Sequence, residues 1–201
     1  MDSNWLLVGL GNPGREYENT RHNAGFLLLE QLATRWRGNW QKEKKFKSLV
    51  TRASVDGQSL ILAKPQTFMN LSGQAVGPLA RFYRVPPEQV LVAVDDADLP
   101  LGKVRLRPDG SSGGHHGLDS VEQHLGTRKW PRLRLGIGRD DPEKREIAGH
   151  VLGKFAAEEM ETFAAVLDHA TAQVECWLKD GTERAMNRFN GPIKGPNEKT
   201  E

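Results

Sequence analysis

The first stretch of this chain able to do chemistry runs from Val8 to Asn23. Gly9-Leu10-Gly11-Asn12-Pro13-Gly14 matches the glycine pattern G-x-G-x-x-G, directly after the apolar run Trp5-Leu6-Leu7-Val8, which reads as a buried strand. As a dinucleotide site the match fails. Such a loop must open straight into a helix whose N-terminus receives the pyrophosphate, but Pro13 pushes Asn12 away from the α region and helical periodicity resumes only near Ala24. The window where a second strand should end in an acid reads as helix instead, through Phe26-Leu27-Leu28-Leu29, Leu32-Ala33 and Trp36. What remains is Asn12 in a tight turn at a strand end, and His22 in Thr20-Arg21-His22-Asn23 at a helix start.

Three further segments pool polar groups. Asp95-Asp96-Ala97-Asp98 stands at the end of the apolar run Val90 to Val94, Ser111-Ser112-Gly113-Gly114-His115-His116-Gly117 opens a short helix, and Pro65-Gln66-Thr67-Phe68-Met69-Asn70 follows a strand. In an open α/β sheet the strand ends face one crevice, so His22, Asn12, Asn70, Asp95 and His116 are expected to converge there. A histidine beside a carboxylate is the minimal general-base pair, because the carboxylate fixes the tautomer and stabilises the imidazolium that forms when water is deprotonated. Asparagines suit the positioning of a carbonyl or oxyanion without titrating. The competing reading of each residue, His115 and Asp96 above all, is a helix cap or a satisfied surface group. Three aspartates and a His-His pair also admit a divalent ion, but no ligand spacing such as H-E-x-x-H is present, and no metal or other cofactor is expected.

The elements that must hold these residues alternate. Strand-like runs cover Trp5 to Leu10, Lys47 to Val55, Ser59 to Ala63, Val90 to Val94, Lys103 to Arg107 and Arg132 to Ile137. Helical patterns cover Ala24 to Arg37, Ser72 to Tyr83 with Ser72 as N-cap, Leu118 to Leu125, and Ala156 to Leu178. The last carries Met160, Phe163, Leu167, Ala170, Val174 and Trp177 at three-to-four spacing, a stripe read as core packing. The order implies an α/β fold: one three-layer domain over residues 1–190, with a mostly parallel mixed sheet, an antiparallel edge and helices on both faces. Residues 191–201, rich in Gly, Pro, Lys and Glu, are expected to be a disordered tail.

At 201 residues the chain can bury a substantial core, and 37% hydrophobic against 27% charged residues describe a soluble globular protein. No apolar run approaches the ~20 residues of a membrane span, and the N-terminus lacks a signal-peptide pattern, so a cytoplasmic protein without membrane contact is expected. The lone Cys176 has no partner for an internal disulfide and falls in a helical pattern, where a core thiol is expected. The net charge of +2 is small, but the first 90 residues carry 12 basic against 7 acidic groups, whereas 151–201 carry 6 against 9. Lys42, Lys44, Lys45 and Lys47 cluster in the basic part, either as a phosphate-attracting rim or as a solvated face.

Taken together, Gly9 to Gly14, Tyr17, Thr20 to Gly25, Lys64 to Gly73, Asp95 to Pro100, Gly113-Gly114-His115 and Arg132 to Gly138 closely resemble the bacterial peptidyl-tRNA hydrolase family, over residues 5 to 189. Several independent motifs in one order make the likeness specific. It implies a monomeric α/β enzyme that hydrolyses the ester joining a peptide to the 3′ ribose of tRNA, without a metal. On matching positions it makes His22 the catalytic base and Asp95 its orienting partner. Asn12 and Asn70 position the substrate and attacking water, and Tyr17, Phe68 and Met69 face the peptide and the CCA end. Arg107 and Arg134 clamp a tRNA phosphate, which would separate a full tRNA from a short peptidyl nucleotide.

Four positions depart from the family pattern. Where the family reads Gly-His-Asn-Gly-Leu followed by Lys or Arg, this chain has Gly114-His115-His116-Gly117-Leu118-Asp119. An amide expected to orient substrate has become an imidazole and a basic residue has become acidic. Val94 and Ala97 also replace commoner neighbours of the acidic motif. The rival function is a catalytically silent RNA-binding relative of the same fold, for which His116 and Asp119 would speak; the presence of His22, Asp95, Asn12 and Asn70 speaks for the enzyme.

Overall fold

The computed structural model describes residues 4–138 and 147–193. In chain order its elements are β1 (Asn4–Gly9), α1 (Ala24–Arg35), β2 (Gln41–Glu43), β3 (Ser48–Val55), β4 (Gln58–Pro65), α2 (Gly73–Phe82), β5 (Val90–Asp96), β6 (Lys103–Arg107), α3 (His116–Leu125), β7 (Arg132–Gly136), α4 (Ile147–Leu152), α5 (Ala157–Asp180), α6 (Thr182–Phe189) and β8 (Gly191–Pro192).

The longest apolar runs become the centre of an eight-stranded sheet in the order β2-β3-β4-β1-β5-β7-β6-β8. Strands β4, β1, β5 and β7 are parallel neighbours, which requires cover on both faces and explains why Leu6-Leu7-Val8 and Val90 to Val94 are apolar without alternation. Alternate residues then feed two cores. Leu7, Leu62 and Leu91 meet Leu28, Leu29 and Leu32 of α1 and Phe163, Val166, Val174 and Trp177 of α5. Leu6, Val8, Ile61, Val92 and Val94 meet Val76 and Leu79 of α2 and Leu118 and Val121 of α3. The three-layer α/β expectation holds, with one refinement: antiparallel pairing extends the sheet at both edges, through β2 and β3 on one side and β6 and β8 on the other.

The α5 stripe packs as core except for Met160, which is exposed near the helix start, and Cys176 is a buried thiol whose pKa burial pushes up. Ser72 does not cap α2 with its side chain. The chain already turns as a 3-10 helix at Met69–Leu71, so Ser72 is itself helical and its hydroxyl donates back to the Met69 carbonyl. Helix α3 begins at His116, two residues earlier than the apolar pattern indicates. Four elements lie outside the runs read from the sequence: β2 is polar, α4 is apolar but only six residues long, α6 is short, and β8 is a two-residue strand. Gly191 and Pro192, assigned above to a tail, pair with β6; the tail from 194 lies outside the described residues.

The glycine pattern that failed as a nucleotide loop has a packing reason. A Cβ on Gly25 would stand 2.4 Å from the Ala93 carbonyl oxygen, and one on Gly9 would stand 2.2 Å from the Gly25 carbonyl oxygen. The start of α1 therefore rests backbone to backbone on β1 and β5, a separation that only glycine permits. No described helix is long and apolar enough to cross a membrane.

Candidate active site

That close approach brings the 3-10 turn Arg21–Asn23, at the head of α1, over the C-terminal end of β5. Asp95 lies there only 2% exposed, and His22 Nδ1 sits 2.9 Å from its Oδ1 and 3.0 Å from its Oδ2. From the opposite layer His115 directs Nε2 at the same Oδ1, at 3.0 Å. Burial pushes the Asp95 carboxyl up, but hydrogen bonds from His115 and His22 and the electrostatic attraction of the two rings outweigh it. The group is held at about 2, below its usual 3.8. An ionised Asp95 fixes the His22 proton on Nδ1 and leaves Nε2 as a proton acceptor.

The His115 tautomer follows from its own surroundings. As N-cap of α3, its Nδ1 accepts from the backbone N–H groups of Gly117 and Leu118, so the ring hydrogen is on Nε2 and donates to Asp95. This bears on metal binding, since ligand atoms of His22, Asp95 and His115 lie within 4.8 Å of one another. A metal needs the Nε2 lone pair; the cap commits that atom to a proton instead.

Asn12 is locked from three sides. Its backbone N–H donates to Asn23 Oδ1, its carbonyl accepts from Asn23 Nδ2, and its side-chain Oδ1 accepts from the Met69 backbone N–H at 2.8 Å. The side-chain Nδ2 is left as a fixed donor on the cleft wall. The cleft has a volume of about 380 Å³, with Asn12, His22, Asp95 and His115 on its polar side and Ala148, Val151 and Leu152 of α4 forming an apolar side. Helix α4 is tied to the histidine turn, because the Arg21 backbone N–H donates to Gly153, while its guanidinium reaches the Lys154 carbonyl and pairs with Glu159.

The loop leading to His115 is held from β7. Arg134 donates to the carbonyls of Ser111 and Ser112 and pairs with Asp96 at 3.3 Å; Arg132, buried against the Trp130 ring, donates to the Gly110 and Arg128 carbonyls. Desolvation lowers the Arg132 pKa to about 10, and the charge of Arg134 adds to the effect.

Of the residues singled out in the sequence, His22, Asp95 and Asn12 converge as expected. Asn70 and Phe68 stand exposed on the turn beside Met69, outside the cleft lining, and Tyr17 lies half-buried in a separate turn. Met69 is buried, with its sulfur packed toward Gly117, and meets the site through its backbone N–H. His116 lies at the rim of the cleft that it was expected to line. Its side chain is 83% exposed at the cleft rim, 3.9 Å from Asp119, because as the first residue of α3 it projects outward while the capping His115 turns inward. Arg107 is exposed on β6, whereas Arg134 is already engaged internally. His115, Arg132 and the α4 wall were not singled out as site residues; the sequence signals for His115 are its place in the Gly113-Gly114-His115 motif and the cap position before Gly117-Leu118.

Comparison with known proteins agrees with this geometry. The family model described as peptidyl-tRNA hydrolase matches residues 6–199. A peptidyl-tRNA hydrolase from Gloeobacter violaceus is 49% identical over 185 residues, covering 92% of this chain and 93% of that protein. One from Caldanaerobacter subterraneus is 45% identical, covering 93% and 100%. A crystal structure of peptidyl-tRNA hydrolase from Acinetobacter baumannii superposes with a TM-score of 0.89 at 39% identity, covering 96% of this chain and 97% of that one. With a histidine–carboxylate pair at the end of the central strands and these matches over nearly its whole length, the chain belongs to the peptidyl-tRNA hydrolase family.

Proposed function

We propose that this chain hydrolyses the ester between a peptide and the 3′ ribose of tRNA, with His22 as general base, Asp95 as its orienting carboxylate and no metal. The observation that carries the reading is the short contact of His22 with both oxygens of a buried, ionised Asp95 at the mouth of a cleft. His22 Nε2 takes a proton from a water whose oxygen attacks the ester carbonyl. Negative charge develops on the former carbonyl oxygen, where the fixed Nδ2 of Asn12 serves as donor. As the tetrahedral intermediate collapses, the His22 imidazolium returns its proton to the departing 3′ oxygen, leaving free tRNA and a peptide carboxylic acid that releases its own proton to water. Asp95 stabilises that imidazolium throughout.

The apolar α4 wall suits a peptide read by contact rather than by sequence. Phe68 and Asn70, on the exposed turn beside the Asn12–Met69 contact, and Tyr17 on the preceding loop are assigned to the CCA end and the substrate carbonyl. The deciding experiment is to incubate the purified chain with peptidyl-tRNA, with and without a chelator. Release of peptide and tRNA at the same rate in both is expected. Activity abolished by the chelator would transfer the reaction to a metal, and no release at all would favour a silent RNA-binding relative.

The two arginines are expected to behave differently. Arg107→Ala should reduce the slope of tRNA affinity against salt by about 1, the loss of one phosphate contact, with kcat unchanged. Arg134→Ala should lower kcat as well, because it frees the Ser111 and Ser112 carbonyls that fix the approach to His115. Equal and purely salt-dependent effects would show that Arg134 acts as a phosphate ligand alone.

A further inference from the structure

The lysine cluster of the first ninety residues is not used by the cleft, and the fold divides it. Lys42 pairs with Leu49 across β2 and β3, so it faces the α1 layer, where Leu49 lines a depression with Phe26 and Lys64. Lys45, Lys47 and Arg52 belong to the other layer. Phe46, Phe82 and Tyr83 cluster there with ring centroids 5.0 to 5.9 Å apart, and Phe82 is 55% exposed. Lys45 lies 4.1 Å above the Phe82 ring and Arg52 lies 5.3 Å above the Tyr83 ring, while Lys47 donates to Gln74 of α2. The rings restrict cations that would otherwise sample many rotamers. Glu43 is the sole carboxylate between residues 41 and 55, and among the described residues no ion pair involves Lys44, Lys45, Lys47 or Arg52.

The strand register relates this patch to the basic edge on the other side of the molecule. Arg52 lies opposite Ile61, which belongs to the core beneath α2 and α3; so do Val92 and Val94, which lie opposite Arg132 and Arg134. Arg105 and Arg107 of β6 lie opposite Arg134 and Arg132 in turn. All these side chains therefore stand on one face of the sheet. Strands β3 and β6 are five positions apart in the strand order, roughly 24 Å at ~4.8 Å per strand.

We propose that Lys45, Lys47 and Arg52, grouped around Phe46, Phe82 and Tyr83, form a second phosphate-binding surface that engages the tRNA at a distance from its 3′ end. The choice of tRNA as occupant rests on the function proposed above. Its physical grounds are charge complementarity to a phosphate backbone, cations already held in place, and a shared face with Arg105 and Arg107, which allows one RNA to touch both edges. The surface continues to the active-site lip, because the Gln66 backbone N–H donates to the Lys47 carbonyl three residues before Met69.

The test measures binding of uncharged tRNA across roughly 50 to 200 mM salt, the window in which phosphate contacts dominate affinity. Its outcome is independent of whether the cleft hydrolyses anything. The Lys45→Ala, Lys47→Ala, Arg52→Ala triple variant should lower the salt slope by about 2 to 3 and weaken binding at low salt by about tenfold or more, with an unfolding midpoint near that of the parent. Lys47→Glu, a charge reversal at a residue held by Gln74 and not by a ring, should shift affinity in the same direction. Lys42→Ala, the same loss of charge on the opposite face, should leave binding within about twofold. A triple variant that is folded and binds tRNA with the parental slope overturns the proposal. So does an equal loss from Lys42→Ala, which would reduce the effect to net charge, or competition by an acidic peptide or by anionic phospholipid vesicles as effective as that by tRNA.

Discussion

His22→Ala is expected to cost about 10²- to 10⁴-fold in kcat, the usual range for loss of a general base, while tRNA affinity stays near that of the parent. The separation of the two effects follows from position. His22 sits over the buried end of β5, facing the cleft, whereas the exposed basic side chains that would meet phosphates lie on β3, on the turn before it and on β6. Single-turnover hydrolysis beside equilibrium binding of uncharged tRNA measures both. Near-parental turnover would remove His22 from the mechanism, and a comparable loss of binding would mean that the turn itself had collapsed.

Asp95→Asn should be nearly as damaging to turnover and should also change the response of the fold to acid. An amide in place of the carboxylate no longer dictates which His22 nitrogen carries the proton and cannot stabilise the imidazolium. The Asp95 pKa is lowered in the folded chain, so its ionised form contributes stability above its ordinary value near 4, and that contribution is lost as pH falls toward the folded value of about 2. The parent should thus lose stability between about pH 4 and 2 more steeply than Asp95→Asn. Denaturant midpoints across that range test the sign. Parallel curves for the two proteins would mean that Asp95 is not ionised in the native state.

The parts of this molecule legible in the sequence share a physical cause. Strands β1, β4 and β5 are buried on both faces, so their apolar runs cannot be anything solvent-facing, and the polar residues that break such runs at Asn12 and Asp95 mark the crevice. His115 was harder to rank, because the same atoms that make it an ordinary helix cap also orient its other nitrogen toward a carboxylate twenty residues earlier, and no local pattern encodes that meeting. His116 shows the complementary limit: adjacent residues at a helix start point in opposite directions, so it reaches only the cleft rim, and the sequence alone does not say which of the two is inward. The division of Lys42 from Lys45 depends on the register of β2 against β3, a property of pairing rather than of composition.

The contact between Gly9, Gly25 and Ala93 gives this architecture an unusual distribution of tolerance. His22 and Asp95 belong to different elements, and the gap between them is set by two missing methyl groups that never see a substrate. The helix and sheet act as the jaws of a calliper closed on bare backbone. Any side chain inserted there would open the jaws by more than the margin of a hydrogen bond. The fold could survive, since both hydrophobic layers extend far beyond that point, yet the pair would come apart. Sensitivity to change thus need not coincide with chemical reactivity: in this chain some of the tightest constraints fall on the residues with the least to offer a reaction.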